Sequence, residues 1–386
     1  MTKYKINDLV NLIMDYRGKT PKKLNMNWTE NENDIIALSA KNIKNGQIIN
    51  TDKSHYGNET LYGKWMKDGD IQAGDILMTS EAPLGETYLV KSPLKAILSQ
   101  RLFLLRLDQS LADPWYFYAL MQSKVFREQL VSKATGTTVI GIKQKELRKI
   151  EIKLPEKSKQ KKIGKYFQSI DAKLDINRQI NANLVEISNT IFKQILSSND
   201  LHKLTINDIG TVAGGGTPSK KITSYWNGDI PWLSPKDLSN NPRIFTSSGE
   251  NYITQQGLDN SSTKLLPRNT VLFSSRAPIG YLSIAKNKIA TNQGFKSVIP
   301  NKQYPFWFIY ELLKVETPGI INEANGSTFK EVSGGRLKQH IVYVPRSSDI
   351  LRYNSIFISL FQKMMQSESE IDTLNSLKRT LLNKLF

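Results

Sequence analysis

The chain has 386 residues, with 53 Lys and Arg against 35 Asp and Glu and a formal charge of +18 at pH 7. That length allows two or three domains with substantial cores, and the charge points to a polyanionic partner, nucleic acid before a membrane surface. The absence of cysteine excludes disulfides, thiolate metal sites and a cysteine nucleophile; His55, His202 and His340 stand far apart without ligand spacing, so no metal site is expected. No stretch approaches the ~18 apolar residues of a spanning helix and residues 1–17 lack a signal-peptide core, so a soluble, cytoplasmic protein without a membrane partner is expected.

Taken in order, the chain says most things twice. Tyr4-Lys5-Ile6-Asn7-Asp8-Leu9 returns as Leu204-Thr205-Ile206-Asn207-Asp208-Ile209, each opening a half. Gly18-Lys19-Thr20-Pro21 is echoed by Gly215-Gly216-Thr217-Pro218, each followed by two lysines (Lys22, Lys23; Lys220, Lys221) and then by Trp28 or Trp226. A phosphate-binding P-loop needs a glycine where Ile13 stands, so this is a basic turn, which either faces DNA phosphates or is a plain surface loop. Leu38-Ser39-Ala40-Lys41-Asn42-Ile43 matches Leu233-Ser234-Pro235-Lys236-Asp237-Leu238, a short strand ending in an exposed turn that carries a lysine.

The clearest pair is Ile76-Leu77-Met78-Thr79-Ser80-Glu81-Ala82-Pro83-Leu84-Gly85 with Val271-Leu272-Phe273-Ser274-Ser275-Arg276-Ala277-Pro278-Ile279-Gly280. Each reads as a buried strand running into a tight turn and a second strand. The copies differ where charge sits, Glu81 against Arg276. Either the polar tips of one scaffold have changed to read different bases, or a duplicated surface has simply diverged. Gln100 and Gln293 recur before Phe103 and Phe295; residues 114–131 and 305–315 then read as helices whose aromatics (Tyr116, Tyr118; Phe308, Tyr310) belong mostly to the core.

Residues 134–196 and 324–386 close the two halves in step, at a constant shift of 190 positions from Pro155 to Pro345. Gly136-Thr137-Thr138 and Gly326-Ser327-Thr328 open them, and short strands follow, Ile150, Ile152 and Leu154 in one, Ile341 and Tyr343 in the other. After each proline comes a helix-period stripe: Ile163, Phe167, Ile170, Leu174, Ile180, Leu184, Ile187, Ile191, Ile195, against Tyr353, Phe357, Leu360, Met364, Leu374, Leu377, Leu381, Leu385. Steps of three and four are those of a coiled-coil seam, and a helix of about forty residues is a rod of roughly 60 Å. The two helices are expected to pair with each other, as a coiled coil or as ordinary amphipathic packing. Asn177 and Ser367 interrupt the stripes at matching places, to fix register or leave room for another chain. Ser197-Ser198-Asn199-Asp200 is the polar break between the halves.

These residues resemble the DNA-specificity subunits of type I restriction-modification systems over the whole chain. The markers are Gly216-Thr217-Pro218-Ser219, Ile230-Pro231-Trp232, Ser275-Arg276-Ala277-Pro278-Ile279-Gly280, Asn292-Gln293-Gly294-Phe295 and the two helix-ended repeats. The first half departs from the pattern at Lys19, at Ala37 and Leu38, and at Glu81. The resemblance implies an α+β chain with a pseudo-two-fold internal repeat: a target-recognition domain over residues 1–155, a helical spacer over 156–200, a second recognition domain over 201–345 and a second spacer over 346–386. It further implies that the domains read the two halves of a split site on double-stranded DNA. The spacers, through Ile163, Phe167, Ile170, Leu174, Leu184, Ile191, Phe357, Leu360, Met364, Leu374 and Leu381, form an antiparallel coiled coil that holds two methyltransferase subunits and the restriction/translocase subunits. S-adenosylmethionine, ATP and Mg2+ would belong to those partners, with no cofactor in this chain. Candidate DNA contacts are Thr20, Lys22, Lys23, Lys41 and Glu81 in the first half, and Thr217, Ser219, Lys220, Lys221, Lys236, Arg276 and Gln293 in the second.

The residues themselves argue against chemistry in this chain. An adenine methyltransferase needs an Asn/Asp-Pro-Pro-aromatic motif, and the nearest approach, Asp113-Pro114-Trp115, lacks the second proline. Gly214-Gly215-Gly216 is followed by Thr217-Pro218, which blocks a helix start of the dinucleotide-binding type. Clustered carboxylates for a nuclease Mg2+ are missing as well. Two other readings stay open: a single-chain DNA-modifying enzyme with unrecognised motifs, and a coiled-coil DNA-binding scaffold without sequence preference.

Overall fold

The structure is a computed structural model that describes residues 1–197, 200–276, 278–324 and 330–386. Gly326-Ser327-Thr328, Ala277 and the Ser198-Asn199 break lie outside the described residues. The chain divides into two compact units, Met1–Leu174 with Thr373–Phe386, and Asp175–Asp372.

The first unit is built on β1 (Thr2–Lys5), β2 (Val10–Asp15), β3 (Ile76–Thr79), β4 (Thr87–Leu89), β5 (Leu102–Leu107), α1 (Pro114–Gln122) and β6 (Glu151–Leu154), followed by α2 (Lys157–Leu196). The recurring opening phrase is a one-turn helix, Ile6–Leu9, whose Asp8 accepts a hydrogen bond from Lys5 N at 3.0 Å. That turn swings the chain from β1, paired antiparallel with β6, into β2, the edge of an antiparallel sheet ordered β2-β5-β3-β4. β3 is buried throughout because both faces of the sheet are covered. Ile76 and Met78 join the core that holds α1 and Phe167, whereas Leu77 joins a second core around Trp65, Ile97 and Leu98. Each such fully buried side chain contributes about 1.5–3 kcal/mol. The second core is roofed by a small sheet of Ile35–Leu38, His55–Gly57 and Ile97–Leu98.

The second unit repeats the plan with β7 (His202–Thr205), β8 (Gly210–Gly214), β9 (Trp226–Leu233), β10 (Phe245–Thr246), β11 (Val271–Ser275), β12 (Ile279–Ala285), β13 (Lys296–Pro300), α3 (Phe306–Asn322), β14 (Ile341–Val344) and α4 (Asn354–Leu385). Asp208 repeats the turn, accepting from Thr205 N at 2.7 Å, and β7 pairs with β14 as β1 does with β6. Its main sheet runs β8-β13-β11-β12-β10, with β10 added in parallel beside β12. Val271 and Phe273 face one core and Leu272 the other, as in β3.

Both units use the long helices as walls. In the first, Phe386 lies 5.2 Å from the Tyr116 ring and 6.1 Å from Phe167, and Asp171 holds Lys378 at 3.7 Å. In the second, Ser367 Oγ lies 3.0 Å from both the carbonyl and the Oδ1 of Asn177, while Phe192 and Ile195 share a core with Phe357, Phe361 and Met364. In both units the contact on one helix moves forward as that on the other moves back, so the packing is antiparallel. Asn177 and Ser367 are 190 positions apart. Repeat-equivalent points of the two helices therefore meet, and the two polar interruptions satisfy each other.

The stripe serves the lobes as much as the helix pair. Ile163, Phe167, Ile170, Leu174, Phe357, Met364 and Leu374 are buried, whereas Leu184, Ile191, Leu360 and Leu381 are only partly so. Phe357 stacks on Trp307 at 4.0 Å, deep in the second unit's core. Ile187 and Leu377 leave the stripe, 46% and 47% exposed, and Ser188, Phe192, Phe361 and Glu368 are buried instead. An α-helix turns every ~3.6 residues, so a stripe drawn at strict seam spacing drifts off the buried face.

Three boundaries differ from the sequence expectation. Residues 114–131 form two helices, Pro114–Gln122 and Lys124–Ser132, because Ser123 Oγ takes Phe126 N at 3.3 Å and gives to Leu120 O at 2.6 Å. α3 continues beyond Val315 through Pro318, since Ile320 is buried in the core. Residues 347–352 are a separate short helix, ending at Tyr353 before α4 begins.

Candidate nucleic-acid interface

In each unit the turns singled out in the sequence converge on one loop. In the first it is Ser99-Gln100-Arg101, leading into β5. Ser99 N donates to Leu38 O at 2.7 Å and Ala40 N to Gln100 O at 3.1 Å, which draws in the Lys41 turn. Gln100 Nε2 donates to Lys19 O at 3.3 Å, which draws in the Thr20 turn. Ser80 N donates to Arg101 O at 2.9 Å, which places Glu81 beside it.

Each turn is shaped locally. Thr20 Oγ1 accepts from Lys23 N at 3.4 Å and caps a 3-10 turn, Pro21–Leu24, from which Lys22 and Lys23 project into solvent, Lys23 Nζ reaching Gly18 O at 2.7 Å. Lys19 folds inward, donating to Trp65 O at 2.6 Å and lying over the Tyr16 and Trp65 rings, and burial pushes its ammonium below its usual range. The Lys41 turn is pinned by fully buried Asn42, whose amide reaches Ile49 O, Asn50 O and Ser54 Oγ, while exposed Lys41 donates to Lys53 O. Glu81 pairs with Arg101 at 2.8 Å.

In the second unit the loop is Asn292-Gln293-Gly294. Asn292 N donates to Leu233 O at 2.9 Å, Gly216 N to Thr291 O at 2.8 Å and Ser275 N to Gly294 O at 2.8 Å. The Gln293 side chain contacts Thr217 Oγ1, and the Gly216 carbonyl accepts from Trp232 Nε1 at 3.0 Å. Ser219, Lys220, Lys221 and Lys236 are exposed, the Ser219 carbonyl held by Trp226 Nε1 at 3.2 Å. Arg276 lies 3.4 Å from Glu331, which also has Lys296 at 3.8 Å. Burial pushes the Lys296 ammonium down, against the pull of Glu331.

The geometry thus gathers Thr20, Lys22, Lys23, Lys41 and Glu81 around Gln100, and Thr217, Ser219, Lys220, Lys221, Lys236 and Arg276 around Gln293. Sequence reasoning missed Arg101, Arg17, Lys296 and Glu331. Arg17 pairs with Asp15 at 2.6 Å, lies 4.8 Å over Phe103 and donates to Ile142 O at 3.0 Å, occupying the first unit's counterpart of the Lys296 corner. The recurrence of Gln100 as Gln293 was a visible signal for the loop; nothing in the sequence ties Arg101 to Glu81. Among the described residues no group of three His, Asp or Glu side chains could hold a metal ion, and no helix is long and apolar enough to cross a membrane.

Two copies of one mixed α/β scaffold, each presenting basic and polar turns around a single loop and each walled by long helices, define a duplicated two-unit protein. The chain belongs to the type I restriction modification DNA specificity domain family, whose model matches residues 1–186 and 199–376. Over 43% of its length it is 41% identical to the type I restriction enzyme MjaIX specificity subunit of Methanocaldococcus jannaschii, and over 43% it is 33% identical to the EcoR124I/EcoR124II specificity subunit of Escherichia coli. Those alignments cover 38% and 42% of the two relatives, so the chain spans less than half of either. Identity to the HindI specificity subunit of Haemophilus influenzae is 20% but extends over 91% of this chain and 93% of that one. The fold matches a crystal structure of the S subunit of a type I restriction-modification system from M. genitalium at a TM-score of 0.60 and 18% identity, covering 100% and 96% of the two chains.

Proposed function

We propose that the chain is the DNA-reading, non-catalytic subunit of a type I restriction-modification complex, and that each unit reads one half of a split site on double-stranded DNA. The observation that carries this reading is the repeated convergence of basic turns on Gln100 and on Gln293, with different charged side chains at equivalent tips. Lysines at turn ends suit phosphates, which position a protein on the duplex, whereas a guanidinium or carboxylate at a fixed tip suits base edges in the major groove. The domain boundaries proposed are 1–155 and 201–345 for reading and 156–200 and 346–386 for the helical spacers. The partners proposed are two methyltransferase subunits, which would bring S-adenosylmethionine, and restriction/translocase subunits, which would bring ATP and Mg2+. The place of work is the cytoplasm.

The test is footprinting of the purified chain together with an assay for methyl transfer and cleavage. One bipartite protected site, no activity from the chain alone, and adenine methylation once the two methyltransferase chains are added support the reading. Methylation or cleavage by the pure chain would sink it in favour of a hidden enzyme, and protection without sequence preference would favour a plain scaffold.

A further inference from the structure

In both units three chain segments meet through the same backbone bonds. Ser80 N donates to Arg101 O at 2.9 Å and Ile142 N to Ser80 O at 2.9 Å; Ser275 N donates to Gly294 O at 2.8 Å and Val332 N to Ser275 O at 3.0 Å. Bridges between Glu81 and Gly141, and between Arg276 and Glu331, complete the frame. Three side-chain positions therefore correspond: 81 with 276, 101 with 294, and 141 with 331. They carry Glu, Arg and Gly in the first unit, and Arg, Gly and Glu in the second. Each frame holds one guanidinium and one carboxylate, paired with each other, but on different strands.

We propose that Arg101 is the specificity-determining cation of the first unit, taking from a neighbouring strand the part that Arg276 takes in the second, with Glu81 and Glu331 as the positioning residues that hold each guanidinium. The inference rests on the reading that each unit recognises half of a DNA site, and adds which side chain does so in the unit that lacks an arginine at the expected turn. Fold stability does not explain the permuted pair. Arg101 and Arg276 are 52% and 37% exposed at the side chain, and ion pairs that open to solvent add little to stability. Arg101 also has φ 63°, a left-handed backbone disfavoured for a side chain of this kind, and Gly294 at the corresponding point of the other unit does not adopt it. An arginine kept in that conformation is accounted for by what its side chain does. A guanidinium held by one carboxylate is oriented, and its planar fork matches O6 and N7 of guanine. Because the fork starts from a different strand in each unit, the same frame addresses a different base-pair position.

The full-length chain is to be selected against a pool of random duplexes and the bound fraction sequenced. Wild type should yield two separated half-motifs. Arg101→Gly, which copies Gly294 and relieves the left-handed backbone, should erase the preference at one or two base pairs of one half-motif, on the order of 5- to 150-fold, leaving the other half-motif intact and the unfolding temperature no lower. Arg101→Lys should lose the same preference, since an ammonium lacks the fork. Glu81→Gln should blur that preference without changing the salt dependence of binding, an outcome that a merely structural role would not produce. Unchanged half-motifs in Arg101→Gly overturn the assignment of Arg101 and leave the two-unit reading standing. A wild-type selection with no split motif overturns both.

Discussion

The two Thr-Pro turns are held beside their loops by opposite means. In the second unit Gly215 and Gly216 run so close to the neighbouring strands that a Cβ on Gly215 would lie 2.0 Å from Asn292 O, and one on Gly216 2.4 Å from Thr263 N. In the first unit a Cβ on Gly18 would meet nothing within 4 Å; its φ of 74° is what favours glycine, and Lys19 anchors the turn through its side chain to Trp65 O. Backbone packing holds one turn and a partly buried ammonium the other. A duplicated surface can thus keep its frame while exchanging the chemistry that supports it, and the permuted ion pair at the tip is the same lesson with charge.

The largest test of that contrast is Gly215→Ala against Gly18→Ala. The first forces two backbones apart and should cost on the order of 2 to 3 kcal/mol of stability, whereas the second meets only the left-handed backbone and should cost about 1 kcal/mol. Urea unfolding of each variant compares them; equal costs would mean that the turns are supported alike.

A smaller effect is expected where the turns are alike. Lys22→Ala with Lys23→Ala, and Lys220→Ala with Lys221→Ala, should weaken binding to every duplex sequence and flatten the slope of log affinity against log salt by about one per phosphate contact removed. Titrations between low and moderate salt on specific and scrambled duplexes measure this. Loss confined to the specific duplex would move those lysines from phosphates to bases.

The smallest concerns a difference at the foot of the units. His340, 5% exposed, lies between Glu316 at 3.2 Å and Glu323 at 2.9 Å, where the first unit has fully buried Ile150. Hydrogen bonding to Glu316, and then to Glu323, raises its pKa against the opposing effect of burial. A raised folded value means that the stabilisation is fully present below the ordinary histidine value of about 6.5 and is lost as pH rises through the folded one. His340→Gln should therefore destabilise more at pH 5.5 than at pH 9, read from thermal unfolding at both. A gap independent of pH would show that the histidine is held neutral.

Much of the fold was legible because it is written twice. The turn at Asp8 and Asp208, the buried strands ending at Thr79 and Ser275, and the long helices all follow from apolar periodicity and turn residues, which act over a few positions. The candidate turns were legible for the same reason. Arg101, Lys296 and Glu331 were not, since each matters only through a partner 20 to 55 positions away, as with Glu81 and Arg101 or Arg276 and Glu331. The stripe on the helices was readable in phase but not in burial: Ile187 and Leu377 have the right spacing and face solvent, because which side of a helix is covered depends on what packs there.

Local physics in the sequence, then, determined the duplication, the elements and their order, the basic character of the turns and the paired polar interruptions at Asn177 and Ser367. Only the tertiary structure decided that three turns meet at Gln100 and three at Gln293, that Ser367 bonds to Asn177, and that Glu81 and Arg276 each face a partner on another strand. Such juxtapositions are set by strand order and side-chain reach across distant positions, which hydrophobic periodicity does not encode.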